Sequence, residues 1–151
     1  MTRRTAPYAL AILAASLGVL VMTTAVAANH AATFVTSLSG AEEIPGPGDP
    51  NGKGWATIEV YDAGLVCYTL KLQGIEMPLA AHIHEAPPGE AGDVVVDLRL
   101  DLAERQGNRY SFCANAAESV VADIRANPTD YYVNVHNASY PGGAVRGQLG
   151  D

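Results

Sequence analysis

The chain has 151 residues, 48% of them hydrophobic, enough for a single domain with one real core. Sixteen acidic residues outnumber nine basic ones, for a formal net charge of −7. Such a surface repels phosphate backbones, which argues against nucleic acid as a partner and favours cations.

The first 27 residues read as a signal peptide. Arg3 and Arg4 form a short positive start, an apolar run follows from Tyr8 to Met22, and Ala25-Val26-Ala27 supplies the small-x-small cleavage pattern. No stop-transfer pattern follows, so an uncleaved anchor is the weaker reading. Loss of residues 1–27 removes Arg3 and Arg4 and takes the net charge from −7 to −9. Residues 28–151 are then one exported domain, secreted or periplasmic, with no membrane contact after cleavage.

Thr33 to Leu38 is a short strand, and Gly40 to Gly54 (GAEEIPGPGDPNGKG) is a Gly/Pro-rich loop. Trp55–Tyr61 and Leu65–Leu72 alternate and flank Gly64, which predicts a hairpin. Further strands are predicted over Leu79–His84, Asp93–Leu100, Tyr131–His136 and Ala144–Leu149. One helix interrupts them. Asn115 is its expected cap with Glu118 in a capping box, Ala117, Val120, Val121 and Ile124 form its apolar stripe, and Asn127-Pro128 ends it. Short strands at close intervals predict an all-β Greek-key sandwich or barrel with one short α-helix in a connection. Cys67 and Cys113, the two cysteines of an exported chain, predict a disulfide; the alternative, a pair of metal thiolates, lacks a neighbouring Cys or His at ligand spacing.

Side-chain parity carries the functional reading. Residues two apart on a strand share a face. Leu79, Ala81 and Ile83 therefore oppose His82 and His84; Val133 and Val135 oppose Tyr132, Asn134 and His136; Val145 and Leu149 oppose Arg146 and Gln148. Val94, Val96, Leu98 and Leu100 likewise oppose Asp97 and Arg99. If the aliphatic faces meet in the core, His82, His84, His136 and Arg146 all lie outside it. Two imidazoles at i and i+2, joined by a third from a neighbouring strand, make a three-nitrogen site with an open position that suits copper or zinc, and Cu(II) is favoured by the Irving–Williams order. The plainer alternative is three exposed polar residues at strand ends. Glu85 turns to solvent on this reading, and Glu42 and Glu43 are solvated loop acids, Glu43 being the one able to brace the site from behind the ligands.

The ordered segments Leu38-Ser39-Gly40-Ala41-Glu42-Glu43-Ile44-Pro45, Ala81-His82-Ile83-His84, Tyr132-Val133-Asn134-Val135-His136 and Gly143-Ala144-Val145-Arg146-Gly147-Gln148-Leu149 resemble the CHRD (chordin-type) domain family, common among secreted bacterial proteins. Ala86 and Ala144 depart from that pattern, standing where a Gly and a Glu are usual. More distantly, the arrangement is similar to the copper half of copper/zinc superoxide dismutases. That similarity implies His82, His84 and His136 as copper ligands, Arg146 as an anion guide, and redox chemistry at the open position. It implies no zinc subsite, because the one remaining histidine, His30, lies near the start of the exported chain.

His30 supports a separate expectation. Cleavage after Ala27 would leave Ala28-Asn29-His30 at the N-terminus, where the amine, two backbone amides and the imidazole form the square-planar nitrogen set that Cu(II) prefers.

The sequence thus predicts an exported copper-binding β-domain whose partner is a metal ion, with binding ranked above catalysis. The alternative is a metal-free extracellular interaction module with a protein partner, in which Tyr131, Tyr132 and Tyr140 would be the contact aromatics.

Overall fold

A computed structural model describes residues 31–150. The expected signal peptide and the expected Ala28-Asn29-His30 site lie outside the described residues. Nine strands form one antiparallel sheet in the order β5-β4-β8-β9-β1-β2-β3-β7-β6. They are β1 Ala31–Ser39, β2 Lys53–Tyr61, β3 Leu65–Gln73, β4 Pro78–Glu85, β5 Asp93–Asp97, β6 Glu104–Gln106, β7 Arg109–Asn115, β8 Tyr131–Asn137 and β9 Val145–Gln148. The sheet curls until β5, at one end of the order, touches β7 near the other. This is the all-β barrel-like architecture that the strand pattern predicts. No helix among the described residues is long and apolar enough to cross a membrane.

The inside of the curl is the core. Ala56, Ile58 and Val60 of β2, Val66 and Leu70 of β3, Ala81 and Ile83 of β4, and Val133 and Val135 of β8 are all fully buried. Each Val, Leu or Ile side chain taken from water in this way contributes about 1.5–3 kcal/mol, and each Ala less. The helix α1, Glu118–Ala126, closes one side with Val121 and Ile124 buried and Val120 partly so. Cys67 and Cys113 face each other in register across β3 and β7 and form the expected disulfide.

Four details differ from the sequence expectations. Asn115 does not cap the helix: its backbone pairs with Leu65 at the end of β7, Ala116 N–H continues the ladder to Gly64 O, and the helix starts at Glu118 behind Ala117 with no side-chain cap. Residues 93–100 are not one strand, because Arg99 takes a left-handed conformation (φ 50°) clasped by Asp97 and Asp101, and a 3₁₀ turn follows over Leu100–Leu102. A register shift opposite Ile83 and His84 leaves Val95 as an extra residue in β5, so Val94 is 51% exposed rather than in the core. A second shift between Pro78 and Ala80 turns Leu79 outward, 62% exposed. Strands β6 and β7 are additions. Tyr110, Phe112 and Ala114 do alternate with polar neighbours along β7, which is the pattern that marks it.

Candidate metal centre

The outer face of β4, β8 and β9 carries the predicted cluster. In the cross-strand register His82 stands opposite Asn134, Asn134 opposite Arg146, His84 opposite Tyr132, and Tyr132 opposite Gln148. His136 lies opposite Ala80 and so is the diagonal neighbour of His82, within reach of a ring. His82 therefore sits between the other two, and the centroid distances are 4.9 Å from His82 to His136, 5.7 Å from His82 to His84 and 6.3 Å from His84 to His136. One nitrogen from each ring lies within 4.8 Å of the others. Metal–imidazole bonds of about 2.0–2.1 Å bridge nitrogens up to about 4 Å apart, so the widest pair closes by under about 1 Å to share an ion.

Hydrogen bonds single out the ring nitrogens free to bind an ion. His84 Nδ1 is 3.0 Å from Gly92 O, and His136 Nδ1 is 3.1 Å from Pro141 O. A carbonyl only accepts, so each Nδ1 carries the proton and each Nε2 is left with its lone pair. His84 Nε2 is buried with no hydrogen-bond partner, an orphan that a bound ion would satisfy. His136 Nε2 is 3.0 Å from His82 Nδ1, and with His136 Nε2 the acceptor, His82 Nδ1–H is the donor. An ion held by all three rings would replace that hydrogen bond, with His82 offering Nδ1 once its proton had moved to Nε2. All three rings are held below the ordinary imidazole pKa of 6.5, chiefly by burial, with the neighbouring rings adding to the effect on His82 and His136 and the Arg146 cation on His84. They are neutral near pH 7, the form that binds metal.

The residues behind the three imidazoles fix the 86–92 loop. Arg146 is 2% exposed; its guanidinium lies 3.4 Å over the Tyr132 ring, donates to Glu90 O at 2.7 Å and to Gln148 Oε1 at 3.1 Å. The Tyr132 ring stacks on His84. Gln148 Nε2 donates to Ala86 O, and Gly92 N–H to Tyr132 Oη. Together they pin the 86–92 loop, whose Gly92 carbonyl orients His84. Gly92 has to be glycine, since a Cβ there would stand 1.8 Å from Glu85 O. Glu85 itself is exposed, as expected.

Glu43 departs from its expected solvated state. It is 3% exposed, accepts from Asn134 Nδ2 at 3.0 Å, and has one carboxyl oxygen buried without a partner. Burial raises its pKa to about 7, against the opposing pull of the Asn134 bond and Arg146. Gly143, at φ 145°, makes room for it, because a Cβ there would fall 2.2 Å from Glu43 Oε2. Of the tyrosines proposed as contact surfaces, Tyr131 and Tyr132 are each 2% exposed and so are not available to a partner: Tyr131 is committed to Asp123 and Tyr132 to the histidine site. The carbonyls of Gly92 and Pro141 are parts of the site with no side-chain signature in the sequence.

Fold and site define a class, an antiparallel β-domain carrying three converging imidazoles on the outside of its curl. The family model of the CHRD domain matches residues 34–149, nearly all of the described chain, and the chain belongs to that family. No curated protein and no solved structure gives a significant match.

Proposed function

We propose that this CHRD domain binds copper outside the cytoplasm through His82 Nδ1, His84 Nε2 and His136 Nε2. The observation that carries the reading is the unpartnered, buried Nε2 of His84 facing two further imidazoles whose nitrogens lie within 4.8 Å. The donor set fits: three neutral nitrogen ligands, two with tautomers fixed by backbone carbonyls, are the chemistry that imidazole-binding metals require. Bound copper would supply one-electron chemistry at a coordination position left open by the protein. The disulfide is in keeping with an oxidising, extracytoplasmic compartment.

Dismutase-like turnover ranks below binding. Arg146, the expected anion guide, lines a cleft with Ser37, Ser39, Glu42, Pro88 and Gly89, but its NH1 and NH2 are engaged and Glu42 shares the cleft. An anion there would meet a carboxylate and a net charge of −9 for residues 28–151. Arg146 serves mainly as a positioning residue that holds Tyr132 and the 86–92 loop against His84.

Equilibrium titration with Cu(II) and Zn(II), in a His30→Ala background so that no N-terminal site contributes, tests the proposal. Tight, stoichiometric Cu(II) uptake that weakens in His84→Ala supports it; equal uptake by both proteins contradicts it. Superoxide turnover by the copper-loaded protein then separates carrier from enzyme.

A further inference from the structure

The chain's single tryptophan, Trp55, is not in the core: it stands 49% exposed on the outer face of β2. The register places it in a row across four strands, Ser37, Trp55, Lys71 and Arg109. The next row is Val35, Thr57, Thr69 and Ser111, and Glu59 follows beyond Thr57. Trp55, Thr57, Glu59, Thr69, Lys71 and Arg109 line one shallow, open concavity. The histidine site occupies other strands, β4 and β8, so the two features are independent.

The cations single this face out. Residues 28–151 hold seven basic side chains. Arg99 is paired with Asp97 and Asp101, Arg125 with Asp62, and Arg146 is buried in the metal site. Arg105 is spent on Gly107 O and the Tyr110 ring. Lys53, Lys71 and Arg109 likewise have no acidic partner within 4.0 Å among the described residues, Arg109 donating to the neutral Thr69 hydroxyl at 3.4 Å, and these three flank Trp55, Lys53 by lying two residues before it on the same face. In an acidic molecule, a cluster of unneutralised cations around a bare indole calls for an anionic ligand with a flat apolar face.

We propose that this face binds an acidic saccharide, a uronate-bearing glycan. A pyranose ring presents C–H groups that lie against the indole. Its carboxylate meets the Arg109 fork and the Lys71 ammonium. Its hydroxyls meet Thr57, Thr69 and the Glu59 carboxylate, which accepts from them. The strands of Trp55 and Arg109 are two inter-strand spacings apart, about 10 Å, which suits a short oligosaccharide lying across the sheet. Three cations are too few for a nucleic acid to overcome the acidic remainder of the surface. A lipid surface would need apolar anchors beyond Trp55 and Val35.

Calorimetric titration of the metal-free protein tests this, with a hexauronate oligosaccharide, cellohexaose, inorganic polyphosphate and phosphatidylglycerol vesicles as parallel probes. Saturable hexauronate binding is expected, weakening as salt rises, with cellohexaose at least about tenfold weaker. Trp55→Ala and the pair Lys71→Gln, Arg109→Gln should each lower hexauronate affinity at least about tenfold, whereas His82→Ala leaves it unchanged. Because Trp55 is the only tryptophan, hexauronate should also shift the intrinsic fluorescence of the unmodified protein. Absence of saturable hexauronate binding, an unaffected Trp55→Ala variant, equal affinity for polyphosphate, or binding to the vesicles instead would each overturn the proposal.

Discussion

The ring planes of His84 and Tyr132 lie 8° apart with centroids separated by 4.8 Å, and the guanidinium of Arg146 lies against the same tyrosine. The tyrosine thereby couples a buried cation to a candidate ligand, and the 86–92 loop, whose Gly92 carbonyl orients His84, hangs on this assembly.

Arg146→Ala removes a buried hydrogen bond to Gln148 Oε1, a partly buried one to Glu90 O and the cover of Tyr132, leaving both acceptors without their donor. A loss of about 2–4 kcal/mol is expected in urea unfolding. Arg146→Lys keeps the charge but not the planar fork or the stack, so it should recover less than half of that loss. Full recovery by lysine would show that charge alone matters there.

Glu43→Gln tests the buried carboxyl. Its folded pKa of about 7 is above the ordinary 4.5, so protonation stabilises the fold: the contribution is fully present below pH 4.5 and is lost as pH rises through about 7. Glutamine keeps an acceptor for Asn134 without the charge. The variant should be more stable than the parent at pH 8 by about 1–2 kcal/mol, a figure discounted for screening by water, and nearly equal to it at pH 4.5. Thermal unfolding of the metal-free proteins at both pH values checks this.

The histidines act in the opposite sense. Their folded pKa values are below 6.5, so their contribution is present above pH 6.5 and is lost as pH falls through the lowered values. Copper affinity should accordingly be nearly flat between pH 8 and 6.5 and fall only at lower pH, when protons compete for the lone pairs. An affinity that already drops steeply between pH 8 and 7 would mean other ligands. Competition titration at fixed ionic strength measures it.

The disulfide closes a loop with a sequence separation of 46. Replacing Cys67 and Cys113 together by serine should cost about 4 kcal/mol on the chain-entropy account. Urea midpoints of the two proteins give the value, and a cost below about 1 kcal/mol would mean that the β3–β7 pairing already restricts the unfolded chain.

Parity along β4 and β8 was enough to place His82, His84 and His136 together on the outer face, because strand period is a local property of the backbone. The same rule misplaced Leu79 and Val94, since both sit at register shifts that arise from how neighbouring strands pair, which no single segment encodes. Asn115 resembled a helix cap because its type and spacing suit one, yet its backbone was claimed by Leu65 across the sheet. Glu43 looked solvated in its Gly/Pro loop; its burial depends on Asn134, 91 residues further along the chain, and on the still more distant Gly143. The carbonyls that fix the imidazole tautomers belong to Gly92 and Pro141, and backbone acceptors carry no residue signature.

The most direct measurement is the EPR spectrum of the Cu(II)-loaded protein in the His30→Ala background, compared with His82→Ala and His136→Ala. Superhyperfine structure from imidazole nitrogens, with Cu(II) affinity falling about a hundredfold or more in each variant, is the predicted result. Unchanged spectra and affinity in both variants would contradict a centre built from these rings.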